Sequence, residues 1–216
     1  MRFPKSKYFW FSQLKWAEAD LNLMEPVKAI ARLKTLVAQK GDAGVANEAW
    51  FGQAWVLLAE AQYREKLHDE VAATALECRT WKPDLPTLYV VDEVLGRSLK
   101  AQAKFPEALE VFNRIVDDPH GRRTETAAKA QFMIGEIYLL QKDYVKAEAE
   151  FLKVEILYKF PEWQAPALFQ AGGCQEELKH WKDAAKSYEA LIKDYPQSTY
   201  AKMAMERLPR VRQKAK

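Results

Sequence analysis

One pattern is written twice in the second half of the chain, first as AQFMIGEIY (130–138) with KDYVKAEAEF (142–151), then as ALFQAGGC (167–174) with WKDAAKSY (181–188). Counted from Gly135 and Gly172, both copies place an aromatic residue nine positions on, an alanine twelve on and a second aromatic sixteen on. Small residues on facing helices let two backbones approach closely, and the second aromatic fills the space beside them. Pro196, which cannot continue a helix, follows the second copy. The pattern therefore predicts two consecutive helix–turn–helix hairpins.

The same offsets recur upstream in looser form. Gly96 heads a third copy, and Ala59 and Ala17 head two weaker ones. We call the residues that head the five copies the reference residues: Ala17, Ala59, Gly96, Gly135 and Gly172. They predict first helices near 6–22, 45–64, 86–103, 124–141 and 163–179. The matching second helices are predicted near 26–39, 68–80, 105–117, 144–159 and 182–194.

The predicted domain is a single all-α α-solenoid over residues 1–216. Its five hairpins are expected at about 6–40, 45–82, 86–118, 124–160 and 163–196. Ser198 is typical of the residue that caps a helix N-terminus, and an amphipathic helix over 198–208 follows it. Since this helix has a charged outer face, we expect it to cap the last hairpin and to stop at Pro209. Residues 209–216 are expected to form a solvated basic tail.

The order glycine, aromatic, alanine, aromatic, proline resembles the tetratricopeptide repeat, a helix–turn–helix unit of about 34 residues. The resemblance implies a non-enzymatic scaffold that binds a peptide or helix of a partner protein in a concave groove. The spacing between Pro196 and Leu208 narrows the likeness to bacterial envelope-type members, such as proteins of the Tol–Pal system and outer-membrane assembly lipoproteins. That narrower likeness covers mainly residues 124–208.

Composition agrees with an all-helical fold, since 49% of the residues are hydrophobic and only eight are glycine. No stretch approaches the roughly 20 apolar residues that a membrane span needs. The N-terminal segment has too short an apolar run for a signal peptide. If Met1 is the native start, we expect a cytoplasmic protein. If the chain is a fragment of an exported protein, we expect the periplasm or envelope.

The repeat resemblance also predicts which side chains line the groove. The candidates share fixed offsets on the first helices and are Tyr63, Arg64, Arg97, Lys100, Phe132, Glu136, Leu139 and Phe169. Phe132 and Phe169 are the expected anchors for a partner, because buried aromatics carry much of the energy of protein interfaces. The alternative is that both pack between neighbouring repeats and never contact a ligand.

The first helix carries more aromatic surface than one neighbouring helix can bury. Tyr8, Phe9, Trp10 and Phe11 lie consecutively and therefore point all around the helix. Such a surface is typical of an interface. It predicts contact with a missing upstream repeat, with a partner, or with a second copy of a self-associating structural segment. The alternative is that the chain folds back and covers the surface locally.

The sequence offers no catalytic, cofactor-binding or metal-binding motif, so we expect neither an enzyme nor a cofactor. His68, His120 and His180 fall near turns, and Cys78 and Cys174 lack metal or redox spacing. RNA-binding helical repeats are a rival class, but they need a consistently basic groove. Groove glutamates, such as the candidate Glu136, argue against nucleic acid. The expected partner is a protein or peptide, with possible homo-oligomers through the first helix.

Overall fold

The computed structural model describes residues 6–216, in which every regular element is a helix and no strand occurs. Five longer helix pairs follow one another and a twelfth helix ends the chain. The helices are α1 (Lys7–Asn22), α2 (Pro26–Val37), α3 (Ala43–Ala46), α4 (Phe51–Arg64), α5 (His68–Trp81), α6 (Leu88–Ala101), α7 (Phe105–Asp117), α8 (Glu125–Leu140), α9 (Tyr144–Leu157), α10 (Pro161–Glu177), α11 (Trp181–Asp194) and α12 (Thr199–Lys214). A 3₁₀ turn, Ala38–Gly41, links α2 to α3.

The helices form two compact units, one of residues up to Val111 and one from Phe112 onward. In the first unit α1 packs on α2, α2 on α4, and α4 on both α5 and α6. Its core contains the fully buried rings of Phe51 and Trp55, against which the ring of Trp81 packs at centroid distances of 5.3 Å and 5.8 Å. In the second unit α8, α9, α10, α11 and α12 pack in chain order.

All five hairpins turn through the same backbone structure, seven residues after each reference residue. In the fourth hairpin the turn residue is Lys142, whose amide donates to the Leu139 carbonyl (3.0 Å), while the amide of Asp143 donates to that of Tyr138 (2.9 Å). This bond pair is the Schellman arrangement that ends helices. The five turn residues have φ between 57° and 61°, and none is glycine: Met24, Lys66, Ala103, Lys142 and Lys179.

The small residues predicted at the helix crossings lie where the offsets place them. A Cβ atom built on Gly135 would lie 2.7 Å from the Phe151 ring, and one on Gly172 would lie 2.5 Å from the Tyr188 ring. Gly96 is buried as well. Both rings are fully buried, as are the alanines twelve positions after the same glycines. The glycine–aromatic crossing predicted from the repeated pattern is therefore confirmed in the fourth and fifth hairpins.

Two helix boundaries differ from the prediction. Helix α4 begins at Phe51 rather than near residue 45, because Asp42 caps the separate short helix α3 by accepting from the Gly44 amide (2.9 Å). Helix α12 does not stop at Pro209 but continues to Lys214. Buried Val211 and the ion pairs of neighbouring arginines hold its last turns in place. The predicted helix end at Pro209 was therefore wrong, although most residues of 209–216 are exposed, as expected of a solvated basic segment.

Replacing the turn residue of the fourth hairpin tests the cost of its backbone conformation. Left-handed φ costs a non-glycine residue about 1 kcal/mol, so Lys142→Gly should raise the free energy of unfolding by up to about 1 kcal/mol. Lys142→Ala keeps the Cβ atom and should change it by less than about 0.5 kcal/mol. Urea unfolding of the three proteins measures this difference. Equal stability of the glycine and alanine variants would contradict the assignment of strain to this turn.

Two adjacent glycines provide a matched test of the helix crossing. Gly172→Ala places a methyl group against the Tyr188 ring and should destabilise the protein by about 1–3 kcal/mol. Gly173→Ala meets only Arg207 Nη1, at 3.8 Å, and should stabilise helix α10 by up to about 1 kcal/mol. Thermal unfolding followed by circular dichroism compares the pair. A harmless Gly172→Ala substitution would show that the crossing tolerates a side chain.

Candidate functional site

In the first unit the predicted groove residues form a closed charge network. Arg97 Nη2 lies 2.5 Å from Glu60 Oε2, and Arg97 Nε lies 2.7 Å from Glu93 Oε1. Arg64 donates to Glu60 from Nε (3.0 Å) and to the Leu21 carbonyl from Nη1 (3.1 Å). These contacts connect helices α1, α4 and α6 along the face formed by the first helices. The two arginines are therefore structural links as well as groove candidates.

The network fixes the charge of its members. Burial pushes the pKa of Glu60 upward, but hydrogen bonds and charge from Arg97 and then Arg64 outweigh it and leave that pKa below its ordinary value. Burial likewise opposes the charge of Arg97, and the carboxylates of Glu93 and Glu60 outweigh it, so the Arg97 pKa is raised. The Arg97 guanidinium also lies over the Tyr63 ring, 4.5 Å from its centroid. Tyr63 and Arg97 are thus held rigidly together.

The remaining polar candidates, Lys100 in the first unit and Glu136 in the second, are half-buried. Both already interact with other groups of the protein. Leu139 is also half-buried, whereas the neighbouring Leu140 is 60% exposed. In the second unit the accessible apolar surface on the first helices therefore lies at the end of α8.

The expected anchors Phe132 and Phe169 are not open to a ligand. Their side chains are only 7% and 6% exposed. The Phe132 ring contacts the rings of Phe151 (5.2 Å) and Trp163 (5.7 Å). Each ring fills space between its own hairpin and the following helix. Both residues therefore pack between neighbouring helices, which was the alternative to contact with a partner.

The same packing repeats 37 positions along the chain. Phe169 contacts the rings of Tyr188 (5.9 Å) and Tyr200 (5.6 Å), and the Arg207 guanidinium lies 4.8 Å from its centroid. Arg207 therefore covers Phe169 from the side of helix α12. The local sequence pattern could not predict this cover, because it depends on how α12 packs against a ring 38 positions earlier in the chain.

Other arginines of α12 bind carboxylates of the last hairpin. Glu176, which is buried, accepts from the Tyr188 hydroxyl (2.6 Å) and from Arg210 Nη2 (2.6 Å). Arg212 donates to Glu189 from two nitrogens (2.9 Å and 3.1 Å). Burial pushes the pKa of Glu176 upward, but Tyr188, Arg210 and Arg207 outweigh it, so that pKa lies below its ordinary value. These cations are therefore neutralised within the second unit.

The aromatic residues of α1 have unequal surroundings. Trp10 is buried and contacts Phe9 at 5.1 Å, and Phe9 is half-buried. Phe11 packs on Trp50 (5.6 Å) yet remains 38% exposed, and Tyr8 is 75% exposed. The chain between α3 and α4 thus covers one side of the aromatic surface. The other side stays accessible.

One His–Ser pair and two cysteines are of residue types that catalyse reactions in other proteins, but their surroundings do not suit catalysis. His68 Nδ1 lies 2.8 Å from Ser98 Oγ, but Ser98 is fully buried, so a substrate cannot reach its hydroxyl. Burial raises the pKa of Cys78 and of Cys174 to about 12, which keeps both thiols protonated.

Over residues 6–216, no cluster of three His, Cys, Asp or Glu side chains is placed to hold a metal ion. Within the same range no helix is long and apolar enough to cross a membrane.

Comparison with known structures identifies the fold. A structure described as a tetratricopeptide repeat protein from Parabacteroides merdae has a TM-score of 0.66 and 13% identity, over 95% of this chain and 74% of that one. Pseudomonas aeruginosa PilF gives 0.65 and 17%, over 94% and 82%. YrrB, described as a TPR protein with an unusual peptide-binding site, gives 0.58 and 16%, over 90% of each chain. The predicted all-α, α-solenoid fold class is confirmed.

Sequence models of the repeat match two parts of the chain. Residues 94–160 and residues 166–198 each match a model described as tetratricopeptide repeat. A search of curated protein sequences returned no match. The two matched segments include the reference residues Gly96, Gly135 and Gly172. Residues 94–160 and 166–198 are therefore tetratricopeptide repeat segments.

Proposed function

We propose that the protein is an interaction scaffold that binds a peptide or helix of a partner protein on the face formed by its first helices. The observation that carries this proposal is the mixture of accessible apolar and fixed charged groups on that face. In the first unit Tyr63 lies under Arg97 beside the exposed Arg64. In the second unit Leu139 and exposed Leu140 follow Glu136 on α8. A surface of this composition suits a segment that combines apolar and polar contacts.

The internal charge network decides which contacts such a partner can make. A partner carboxylate would have to displace Glu60 or Glu93 from Arg97, which costs the free energy of one short, partly buried ion pair. A partner that contacts the apolar groups and the rim arginine Arg64 avoids this cost. We therefore propose Tyr63, Arg64 and Leu139 as direct contacts, with Arg97, Lys100 and Glu136 setting the charge around them. Phe132 and Phe169 support the surface from below.

Relatives of this fold support the proposal only in general terms. YrrB is described as having a peptide-binding site, and it shares the fold at 16% identity. The envelope-type assignment and the periplasmic or envelope location that would follow from it rest on the spacing within residues 124–208. We retain both as parts of the proposal.

Site-specific photocrosslinking tests which face binds. The benzophenone amino acid p-benzoylphenylalanine is placed at Leu140, on a first helix, or at Ile156, on the second helix of the same hairpin. Both side chains are well exposed, at 60% and 76%, so they differ mainly in the face they occupy. We expect discrete partner adducts from position 140 in cells that make the protein. Adding Leu139→Ala should reduce their yield severalfold, since apolar contacts at the centre of an interface dominate its energy.

The same experiment can reject the proposal. Adducts that form equally from positions 140 and 156, or from position 156 alone, would place partner binding elsewhere than the first-helix face. Adducts from position 140 that are insensitive to Leu139→Ala would show that Leu139 is not a contact. Circular dichroism of each variant serves as the folding control.

A further inference from the structure

One stripe on each first helix has members seven and four residues before the reference residue, at it, and three after it. In the second hairpin Trp55 and Gln62 of this stripe contact α5 of the same hairpin, and Gln62 also borders a groove beside Lys34 of α2. In the fifth hairpin Gln175 accepts from Ser187 of α11 and donates to Glu148 of α9 (2.9 Å). The end of the stripe therefore lies beside the second helix of the preceding hairpin.

Helix α1 has the same stripe, of which three members are buried within the first unit and Gln13 is half-buried. Its members are Trp10, Gln13, Ala17 and Asp20, and no second helix precedes α1 among residues 6–216. Beside the stripe lies an open groove of about 430 Å³ between α1 and α2. We call this groove the outer face of the first hairpin, and it is lined by Phe9, Trp10, Gln13, Lys28, Ala31, Arg32 and Thr35.

The second hairpin shows what occupies the equivalent place. Glu70, Ala73, Thr74 and Glu77 have the same offsets from Ala59 as Lys28, Ala31, Arg32 and Thr35 have from Ala17. They form one wall of a groove whose opposite wall is the end of α2. Lys34 of α2 crosses it to reach Glu70 at 2.8 Å, and Lys40 pairs with Glu77. The occupant is therefore an α-helix, and ion pairs join it to the wall.

The charges on this wall are reversed in the first hairpin. Lys28 stands where the second hairpin has Glu70, and Arg32 stands where it has Thr74. Lys28 pairs with Glu25 of its own helix turn and its side chain is 62% exposed, while Arg32 binds Asp20 at 2.7 Å. A helix that repeats the Lys34–Glu70 contact here must carry an acidic residue opposite Lys28.

The turn of this hairpin is also unusually apolar. Leu23, Met24 and Val27 are 65–79% exposed. The second hairpin has Glu65, Lys66 and Asp69 at the same positions, and none of the other hairpins has three large apolar residues there. Exposed apolar residues clustered in one turn are typical of an interaction surface.

We propose that the outer face of the first hairpin binds an amphipathic α-helix of a partner protein that carries an acidic residue opposite Lys28, seated as a preceding second helix is seated in the other hairpins. The chain itself defines the shape of that helix. Four of its five second helices, all but α5, present a small residue, a large one four positions later and an aliphatic one three beyond, as in Ala184, Tyr188 and Leu191. Glu189, next to Tyr188, has the offset of Lys34 and pairs with Arg212 of the following helix.

A peptide with the sequence of residues 180–195 is therefore a suitable probe, and its Glu189→Lys form is the matched control. Fluorescence anisotropy measures binding of both labelled peptides to the full chain. The native peptide should bind about tenfold more tightly than the Glu189→Lys form, because the latter places two cations together. Lys28→Glu in the protein should reverse that order. Lys202→Glu, on the exposed side of α12, should leave it unchanged.

Ala31→Trp fills the groove and should weaken binding of both peptides, with circular dichroism as the folding control. The proposal is overturned if neither peptide binds saturably up to ~1 mM, or if Lys28→Glu leaves their order unchanged. Analytical ultracentrifugation of the protein without peptide tests whether it forms a dimer. A dimer that Lys28→Glu or Ala31→Trp dissociates would make a second copy the occupant and overturn the partner-helix proposal. None of these outcomes depends on crosslinking at Leu140, so this proposal and the first-helix scaffold can fail separately.

Discussion

The structure depends on the close crossing of two helices within each hairpin. At Gly172 the backbone of α10 lies so near the Tyr188 ring that no Cβ atom fits, and Gly135 meets Phe151 in the same way. Such a crossing fixes both the distance between the helices and their relative rotation. The left-handed turn seven residues later then fixes the register, because it brings the chain back at the same position every time. Each hairpin is therefore built to one geometry.

A fixed register explains why polar side chains recur inside the hairpins. The residue three after the reference residue bonds the residue fifteen after it in three hairpins. In the fifth, Ser187 donates to Gln175 (2.8 Å), and in the second Thr74 donates to Gln62 (2.8 Å). The first hairpin uses an ion pair, Arg32 with Asp20, in the same place. A buried polar pair is stable only when both partners meet, so these pairs also disfavour a slipped register.

The sequence predicted the small residues and helix boundaries well, because a Cβ clash or a missing amide acts locally. It could not predict the shared turn conformation, since Lys142 and the other four turn residues lack the glycine that usually signals positive φ. It also left open whether Phe132 contacts a partner or packs between repeats, since its burial depends on Trp163 in the next helix. Helix α12 runs through Pro209 for a similar reason, since contacts of distant residues such as Glu176 hold its last turns. Where a partner 30 or more residues away decides the outcome, local pattern is not enough.

Repetition of one geometry has a consequence for recognition. Four of the five second helices, all but α5, carry the same stripe of small, large and aliphatic residues, so shape alone does not distinguish their contacts with neighbouring hairpins. Charge distinguishes these contacts, because Lys34 pairs with Glu70 between the first two hairpins, whereas Glu189 pairs with Arg212 in the last helix. Exposed ion pairs of this kind add little affinity, about 0.2–1 kcal/mol each, but a wrong pairing brings like charges together. Apolar burial thus supplies the affinity between hairpins, and the charged rim selects which helix docks where. Lys28 on the outer face therefore specifies a helix with an acidic residue opposite it.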